Sequence, residues 1–157
     1  MKDRTSFAIA SIINAAFETG LNPAWFQVDS LSRNGFLDAA FADADLSPTA
    51  SGKPPVADWF INARLNADEV PSNQPADTKW NKVTAKVALR RLRRYVKNPK
   101  TTAHAKNRIL KYLMYIMLLE SELSTDDCMD VRASFDFDGV DDDCFAQIAI
   151  GKDVIYG

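Results

Sequence analysis

Residues 79–111 read KWNKVTAKVALRRLRRYVKNPKTTAHAKNRILK, and the rest of the chain is interpreted outward from this stretch. It holds twelve of the chain's nineteen basic residues and no acidic residue. A segment this one-sided is typical of a surface for a polyanion, or of the positive half of an acid–base contact between proteins. The net charge of −2 hides the segregation, because residues 1–78 and 112–157 are both acidic.

Helical spacing sorts these charges. Residues 79–97 are predicted to form a helix that Asn98-Pro99 ends. One face of it carries Lys79, Lys82, Lys86, Arg90, Arg93 and Lys97, and Arg94 lies beside that face near Trp80; these seven cations are called the basic stripe. Nearby aromatic residues that could stack on nucleic-acid bases are Trp80, Tyr95, Tyr112 and Tyr115, although Tyr112 and Tyr115 fit a core better.

A second helix, residues 102–123, follows a short turn. Its centre, ILKYLMYIMLL (residues 109–119), contains a single charge. A helix that is apolar on every side is usually buried on every side, so we predict that this is the central core helix, antiparallel to the basic one.

Four helices are predicted before the basic stretch. The first spans residues 6–18. The second starts at Asn22-Pro23 and stops at Asn34-Gly35. The third covers residues 36–44, and the fourth covers about residues 56–67. Proline-rich loops separate them at residues 46–55 and 68–78.

The C-terminal tail shows strand-like alternation. Apolar residues alternate with polar ones over residues 129–137 and again over 144–150. Pairing Phe137 with Cys144 makes every inward pair of an antiparallel hairpin apolar. The same register separates Cys128 from Cys144, so no disulfide is predicted.

The predicted fold is therefore a single α+β domain over residues 1–157. About six helices (residues 6–123) precede a C-terminal antiparallel β-hairpin or small meander (residues 129–156). The 46% apolar and 25% charged content is ordinary for a soluble domain. Two cysteines fit a reducing cytoplasm, and no apolar run reaches the roughly 18 residues of a membrane span.

The turn of the predicted hairpin is acidic, with carboxylates at Asp136, Asp138, Asp141, Asp142 and Asp143. Calcium favours such oxygen ligands, but an EF-hand loop needs glycine at its sixth position, and Gly139 would be fourth. We predict a solvated acidic surface and no metal site. An acidic tail can also mimic nucleic acid.

The functional prediction is a small, cytoplasmic, non-enzymatic binding protein without a cofactor. No nucleophile motif or phosphate-binding loop is present, and the single histidine, His104, lacks a metal-binding partner. The leading hypothesis is contact with the nucleic-acid backbone through the basic stripe, without sequence specificity. The alternative is a protein-interaction or assembly subunit, of viral or mobile-element origin. Its basic segment 79–111 would pair with an acidic surface on another protein or on a second copy.

Overall fold

A computed structural model describes residues 1–18, 26–45, 55–66, 68, 78–122 and 124–151. Within these residues the chain forms six helices and three strands. In chain order they are α1 (Asp3–Glu18), β1 (Phe26–Val28), α2 (Ser30–Asp45), β2 (Phe60–Leu65), β3 (Asn81–Thr84), α3 (Ala85–Lys97), α4 (Ala103–Leu119), α5 (Thr125–Phe135) and α6 (Gly139–Gly151). The fold is mostly helical with a small antiparallel sheet, as predicted, but the strands lie mid-chain.

The first helix, α1, confirms the prediction for residues 6–18 and begins slightly earlier. Its apolar face, including Ile9, Ile12 and Ile13, is buried against α2 and α6. Two cations at its start reach the C-terminal end of α4. Arg4 Nε donates to the Leu119 carbonyl at 2.6 Å, and Lys2 Nζ donates to the Ser121 carbonyl at 2.8 Å. They satisfy carbonyls that a helix end leaves without partners.

The predicted stop at Asn34-Gly35 is wrong. A single helix, α2, continues through it, and residues 26–28 before it form a strand rather than a helix. The helix starts where it does because the Asp29 carboxylate accepts the N–H groups of Leu31 (2.6 Å) and Ser32 (3.1 Å), which is an N-cap. It continues because Phe36 is buried in the core beyond the glycine.

The predicted helix over residues 56–67 is also wrong, since residues 60–65 form strand β2. Burial alternates along it, with Ile61, Ala63 and Leu65 facing the core. β2 lies between β1 and β3, and both pairs are antiparallel. The alternation in FINARL (residues 60–65) indicates a strand, but Ile61 and Leu65 also fit the spacing of one helix face.

Strand β3 replaces the first turn of the helix predicted at residues 79–97. The helix α3 begins only at Ala85, because the Thr84 hydroxyl accepts the Val87 N–H at 3.2 Å and caps it. From there the prediction holds. The core face of α3, Ala85, Ala88, Leu89 and Leu92, is buried.

Helix α4 confirms the predicted helix but ends at Leu119 rather than at residue 123, and the expected complete burial is wrong. One side is open to solvent, with Leu110, Met114 and Met117 at 41%, 52% and 65% exposure. The helix buried on nearly all sides is α6, whose residues Cys144–Ile150 are all buried against α1, α3, α4 and β2.

The predicted C-terminal hairpin is therefore wrong, because residues 125–135 and 139–151 are the helices α5 and α6. Two side chains cap them. Ser124 Oγ accepts the Asp127 N–H at 3.1 Å, and Asp138 Oδ1 accepts the Asp141 N–H at 2.8 Å. Since residues 144–150 of α6 are apolar apart from Gln147, an alternation of period two fits them as well as a helical period does. Residues 152–156, at the end of the predicted hairpin or meander, lie outside the described residues.

Cys144 is buried in α6 as a free thiol, and Cys128 lies on α5 rather than at one end of a hairpin. No helix of the described ranges is long and apolar enough to cross a membrane.

Candidate partner-binding groove

A groove of about 980 Å³ runs between α3 and α4 on the surface of the molecule. Helix α3 forms one wall, α4 forms the other, and the N-terminus closes one side. Its lining residues are Met1, Lys86, Leu89, Arg90, Arg93, Arg94, Lys97, Leu113, Ile116, Met117 and Glu120. Five of the seven basic-stripe residues therefore share one concave surface.

The wall on α3 is cationic and open. Its five cations are exposed: Lys86, Arg90, Arg93, Arg94 and Lys97. They span twelve residues of helix, and at the usual rise per residue the first and last are about 16 Å apart. Within the part of the chain that the structure describes, none of the five forms an ion pair. This surface is called the basic wall.

The floor and the opposite edge of the groove are apolar. Leu89, Leu113 and Ile116 form the floor. Beside it on α4 lie Leu110, Met114 and Met117, spaced four and three residues apart on one side of the helix. These three are called the apolar edge. Clustered exposed apolar side chains of this kind are unusual on a monomer and mark contact surfaces.

The two remaining basic-stripe residues, Lys79 and Lys82, lie on the sheet side rather than in the groove. Both are exposed, and Lys82 projects from β3 with its Nζ 4.5 Å from the centre of the Phe60 ring. The Arg64 guanidinium similarly covers the Trp80 ring at 4.5 Å. The predicted single helix face is thus divided into two surfaces, since β3 interrupts it.

Another arginine of the basic stretch, Arg91, has a structural role. Its Nη1 donates to the carbonyls of Ala149 (2.7 Å) and Ile150 (3.0 Å) and to Asn81 Oδ1 (2.9 Å). These carbonyls belong to the last turn of α6, where a positive charge is favourable. Arg91 therefore connects α3 and β3 to α6 through hydrogen bonds.

The acidic residues 136–143 are only partly at the surface. Asp136 and Asp138 are exposed, while Asp141 and Asp143 are buried and Asp142 is half-buried. Asp141 pairs with Lys111 (3.3 Å) and Arg108 (3.5 Å) of α4. The acidic turn thus neutralises the far end of the basic stretch and leaves the basic wall uncovered.

Burial changes the proton affinity of two of these carboxyl groups. Desolvation raises the pKa of Asp142, although the Tyr112 hydroxyl donates to Asp142 Oδ1 at 2.7 Å and opposes the rise. Desolvation also raises the pKa of Asp143, against a hydrogen bond of 2.7 Å from Gln147 Nε2. Burial and the neighbouring acids raise the pKa of the Tyr112 hydroxyl well above its usual range. The described residues include no cluster of three or more side chains suited to hold a metal ion.

The four aromatic residues near the basic stretch differ in their exposure to solvent. Tyr112 and Tyr115 are buried, as predicted, and Tyr112 stacks on Phe137 with ring centres 4.1 Å apart. Tyr95 is half-buried. Trp80 alone of the four is exposed, on the sheet side of the molecule.

The sequence located the cations of the groove but missed the apolar edge. The signal was present in the spacing of Leu110, Met114 and Met117, but an all-apolar helix does not reveal which side stays exposed. That depends on the helices that pack against α4, namely α1, α3, α5 and α6, two of which lie where the sequence predicts a hairpin.

No protein-family model matches this chain, and neither a curated protein nor a solved structure is similar to it at a significant level.

Proposed function

We propose that this protein is a non-enzymatic interaction protein whose groove holds an acidic, amphipathic segment of another protein. The observation that carries the proposal is the combination of the basic wall with the apolar floor and edge. An acidic helix with one apolar side meets both surfaces at once. Helices commonly bind proteins in this way, with apolar anchors at i, i+3 or i+4 and i+7.

The dimensions of the groove fit such a segment. A basic wall of about 16 Å matches three turns of a partner helix. The exposed methionines favour this use, because flexible, polarisable side chains adapt to the surface of a bound helix. The cations steer an acidic partner toward the groove, while burial of the apolar edge supplies most of the affinity.

A synthetic peptide tests the proposal. The probe is a fluorescein-labelled acidic amphipathic helix of about 16 residues, with apolar positions at i, i+3, i+4 and i+7. Changing Met114→Gln together with Met117→Gln is expected to weaken its binding about tenfold, since two partly exposed side chains lose their apolar contact with the peptide. The matched control is Leu31→Gln on α2, which is 92% exposed and far from the groove. Equal affinity of the double variant and the wild type contradicts the proposal.

A second pair of variants tests the basic wall. Arg90→Glu with Arg93→Glu is expected to weaken peptide binding by tenfold or more at low salt. The control, Arg33→Glu with Lys100→Glu, changes the net charge equally at two exposed positions outside the groove. It is expected to change affinity by about twofold at most, through the overall field of the protein. A similar loss in both double variants would mean that net charge, not the groove, determines binding.

A second candidate function is contact of the basic wall with a nucleic-acid backbone. The observation that favours it is the row of five exposed cations without ion pairs among the described residues. This function predicts binding of duplex DNA that weakens steeply between about 50 and 200 mM salt and is lost on Arg90→Glu with Arg93→Glu. It also predicts no effect of Met114→Gln with Met117→Gln, because phosphates make no use of the apolar edge. The methionine variants therefore separate the two functions.

A further inference from the structure

The sheet has a face that the groove does not use. β2 and β3 alternate, so that Ile61, Ala63 and Val83 are buried while Phe60 and Lys82 point to solvent. The strand register places Gln27 opposite Arg64, Asn62 opposite Lys82 and Phe60 opposite Thr84. The solvent face of the sheet therefore presents aromatic, cationic and amide side chains together.

We propose that this face is a second binding site, which takes single-stranded nucleic acid by stacking bases on Trp80 and Phe60. Both aromatic side chains are large and exposed, at 48% and 40%. Phe60 is opposite Thr84, and Trp80 comes four residues before Thr84, so the backbone positions that carry the two rings are about 13 Å apart along the strand direction. At that separation each ring can hold its own base.

The cations beside the rings complete the site. Arg64 is held in place by its Nε, which donates to Gln27 Oε1 at 2.7 Å, and its guanidinium lies 4.5 Å from the centre of the Trp80 ring. Lys82 lies at the same distance from the Phe60 ring. Each aromatic platform thus has a positive charge next to it, where the phosphate of a stacked nucleotide would lie.

Arg64 and Lys82 do not block the Trp80 and Phe60 rings from contact with a base. Trp80 and Phe60 keep their exposed surface with Arg64 and Lys82 already over the rings. Stacking of a base on an aromatic side chain is also stronger than a cation–π contact at an exposed site. A base can therefore take the place of the cation, which stays within reach of the phosphate.

The chemistry of this face favours a nucleic acid over a protein segment. The neighbours of the rings are polar, namely Gln27, Asn62 and Thr84, so the face lacks the aliphatic floor of the groove. One acidic group, Asp29, lies at its edge, where Asn62 Nδ2 donates to it at 3.4 Å. That carboxylate already caps α2 through the N–H groups of Leu31 and Ser32. Single strands rather than duplexes are expected, since only unpaired bases offer both faces for stacking.

Fluorescence anisotropy of a labelled oligo-dT of about 20 nucleotides, at about 50 mM salt, tests the site. We expect Trp80→Ala to weaken binding between about fivefold and 100-fold, and Trp80→Phe to retain most of it. Arg64→Gln should also weaken binding, and its matched control, Arg33→Gln on α2, should not. A 20-base-pair duplex should bind more weakly than the single strand, by at least about fivefold.

Other outcomes overturn the proposal. They are no binding of oligo-dT at 50 mM salt, equal binding of single strand and duplex, or unchanged affinity in Trp80→Ala with Phe60→Ala. Loss of binding only in Arg90→Gln with Arg93→Gln would assign the nucleic acid to the groove instead. The peptide experiments on the groove use different variants, so either site can fail without the other. Circular dichroism of each variant establishes that the exposed substitutions leave the fold intact.

Discussion

Gly35 lies in the middle of α2, although glycine in a helix interior costs about 0.5–1 kcal/mol relative to alanine. The residue is exposed, and a Cβ added there would meet no atom within 4 Å. Gly35→Ala is therefore expected to raise the free energy of unfolding by about 0.5–1 kcal/mol in a urea titration.

A second glycine provides the contrast. A Cβ on Gly151, at the end of α6, would lie 3.0 Å from Leu65 Cδ1 on β2. Gly151→Ala should therefore fail to stabilise the protein or should destabilise it, since the buried Leu65 side chain must shift to make room for the added methyl group. Equal gains from both substitutions would contradict the packing of α6 against β2.

Asp143 gives the stability of the protein a defined pH dependence. Its folded-state pKa is raised above the ordinary value of 3.8, chiefly by desolvation, so the folded state binds the proton more tightly than the unfolded state. The contribution of this group to stability is thus fully present below pH 3.8 and is lost as the pH rises through the folded pKa.

Asp143→Asn removes that dependence, because asparagine stays neutral and keeps an oxygen that can accept the Gln147 hydrogen bond. The variant is expected to be more stable than the wild type at neutral pH, and the difference should shrink as the pH falls toward 3.8. Denaturant titrations at several pH values measure it. A difference that grows on acidification would mean that the carboxylate is stabilised, not strained, by its burial.

At the scale of elements, one side chain connects three of them. Arg91 of α3 bonds the last carbonyls of α6 and Asn81 of β3. Arg91→Met keeps the apolar stem but leaves those carbonyls without their charged donor, so it should lower the free energy of unfolding by about 2 kcal/mol. Arg93→Met on the exposed side of the same helix is the control and should have little effect. Comparable losses would exclude the role assigned to Arg91.

The sequence predicts an element well when residues close to it in the chain determine it, and poorly when distant contacts do. The helices α1 and α4 and the core face of α3 follow from periodicity and caps, which residues close in sequence provide. The strands β2 and β3 form because they pair with each other, and their alternating residues, Ile61 and Val83, meet only in the folded protein. The prediction of a C-terminal hairpin failed because it relied on an alternation of apolar and polar residues. The residues that determine the structure there are Ser124 and Asp138, which cap α5 and α6.

The candidate site likewise has a part that local sequence predicts and a part that depends on tertiary contacts. Charge clustering located the five cations of the basic wall, since composition alone reveals a basic segment. The sequence could not show that β3 separates Lys79 and Lys82 from them. It also could not show that α4 exposes Met114 and Met117, because that depends on how α1, α3, α5 and α6 pack against the other sides of α4.

At the scale of the whole molecule, the segregated charges are arranged so that one part of the basic stretch stays available. Asp141 pairs with Arg108 and Lys111 near the middle of α4. The basic wall on α3 has no such pair among the described residues, and the apolar edge lies across the floor of the groove from it. The acidic tail therefore leaves the groove open, since none of the described residues 124–151 lines it.

Methionine methyl resonances test the central claim most directly. The chain has four methionines. Met1 and Met117 line the groove, Met114 lies on the apolar edge, and Met129 belongs to α5, which contributes none of the described lining residues. On titration of ¹³C-methyl-labelled protein with the acidic amphipathic peptide, we expect Met1, Met114 and Met117 to shift together and Met129 to stay unchanged. Shifts absent from Met114 and Met117 at saturating peptide, or no binding of the peptide, would contradict the proposed groove.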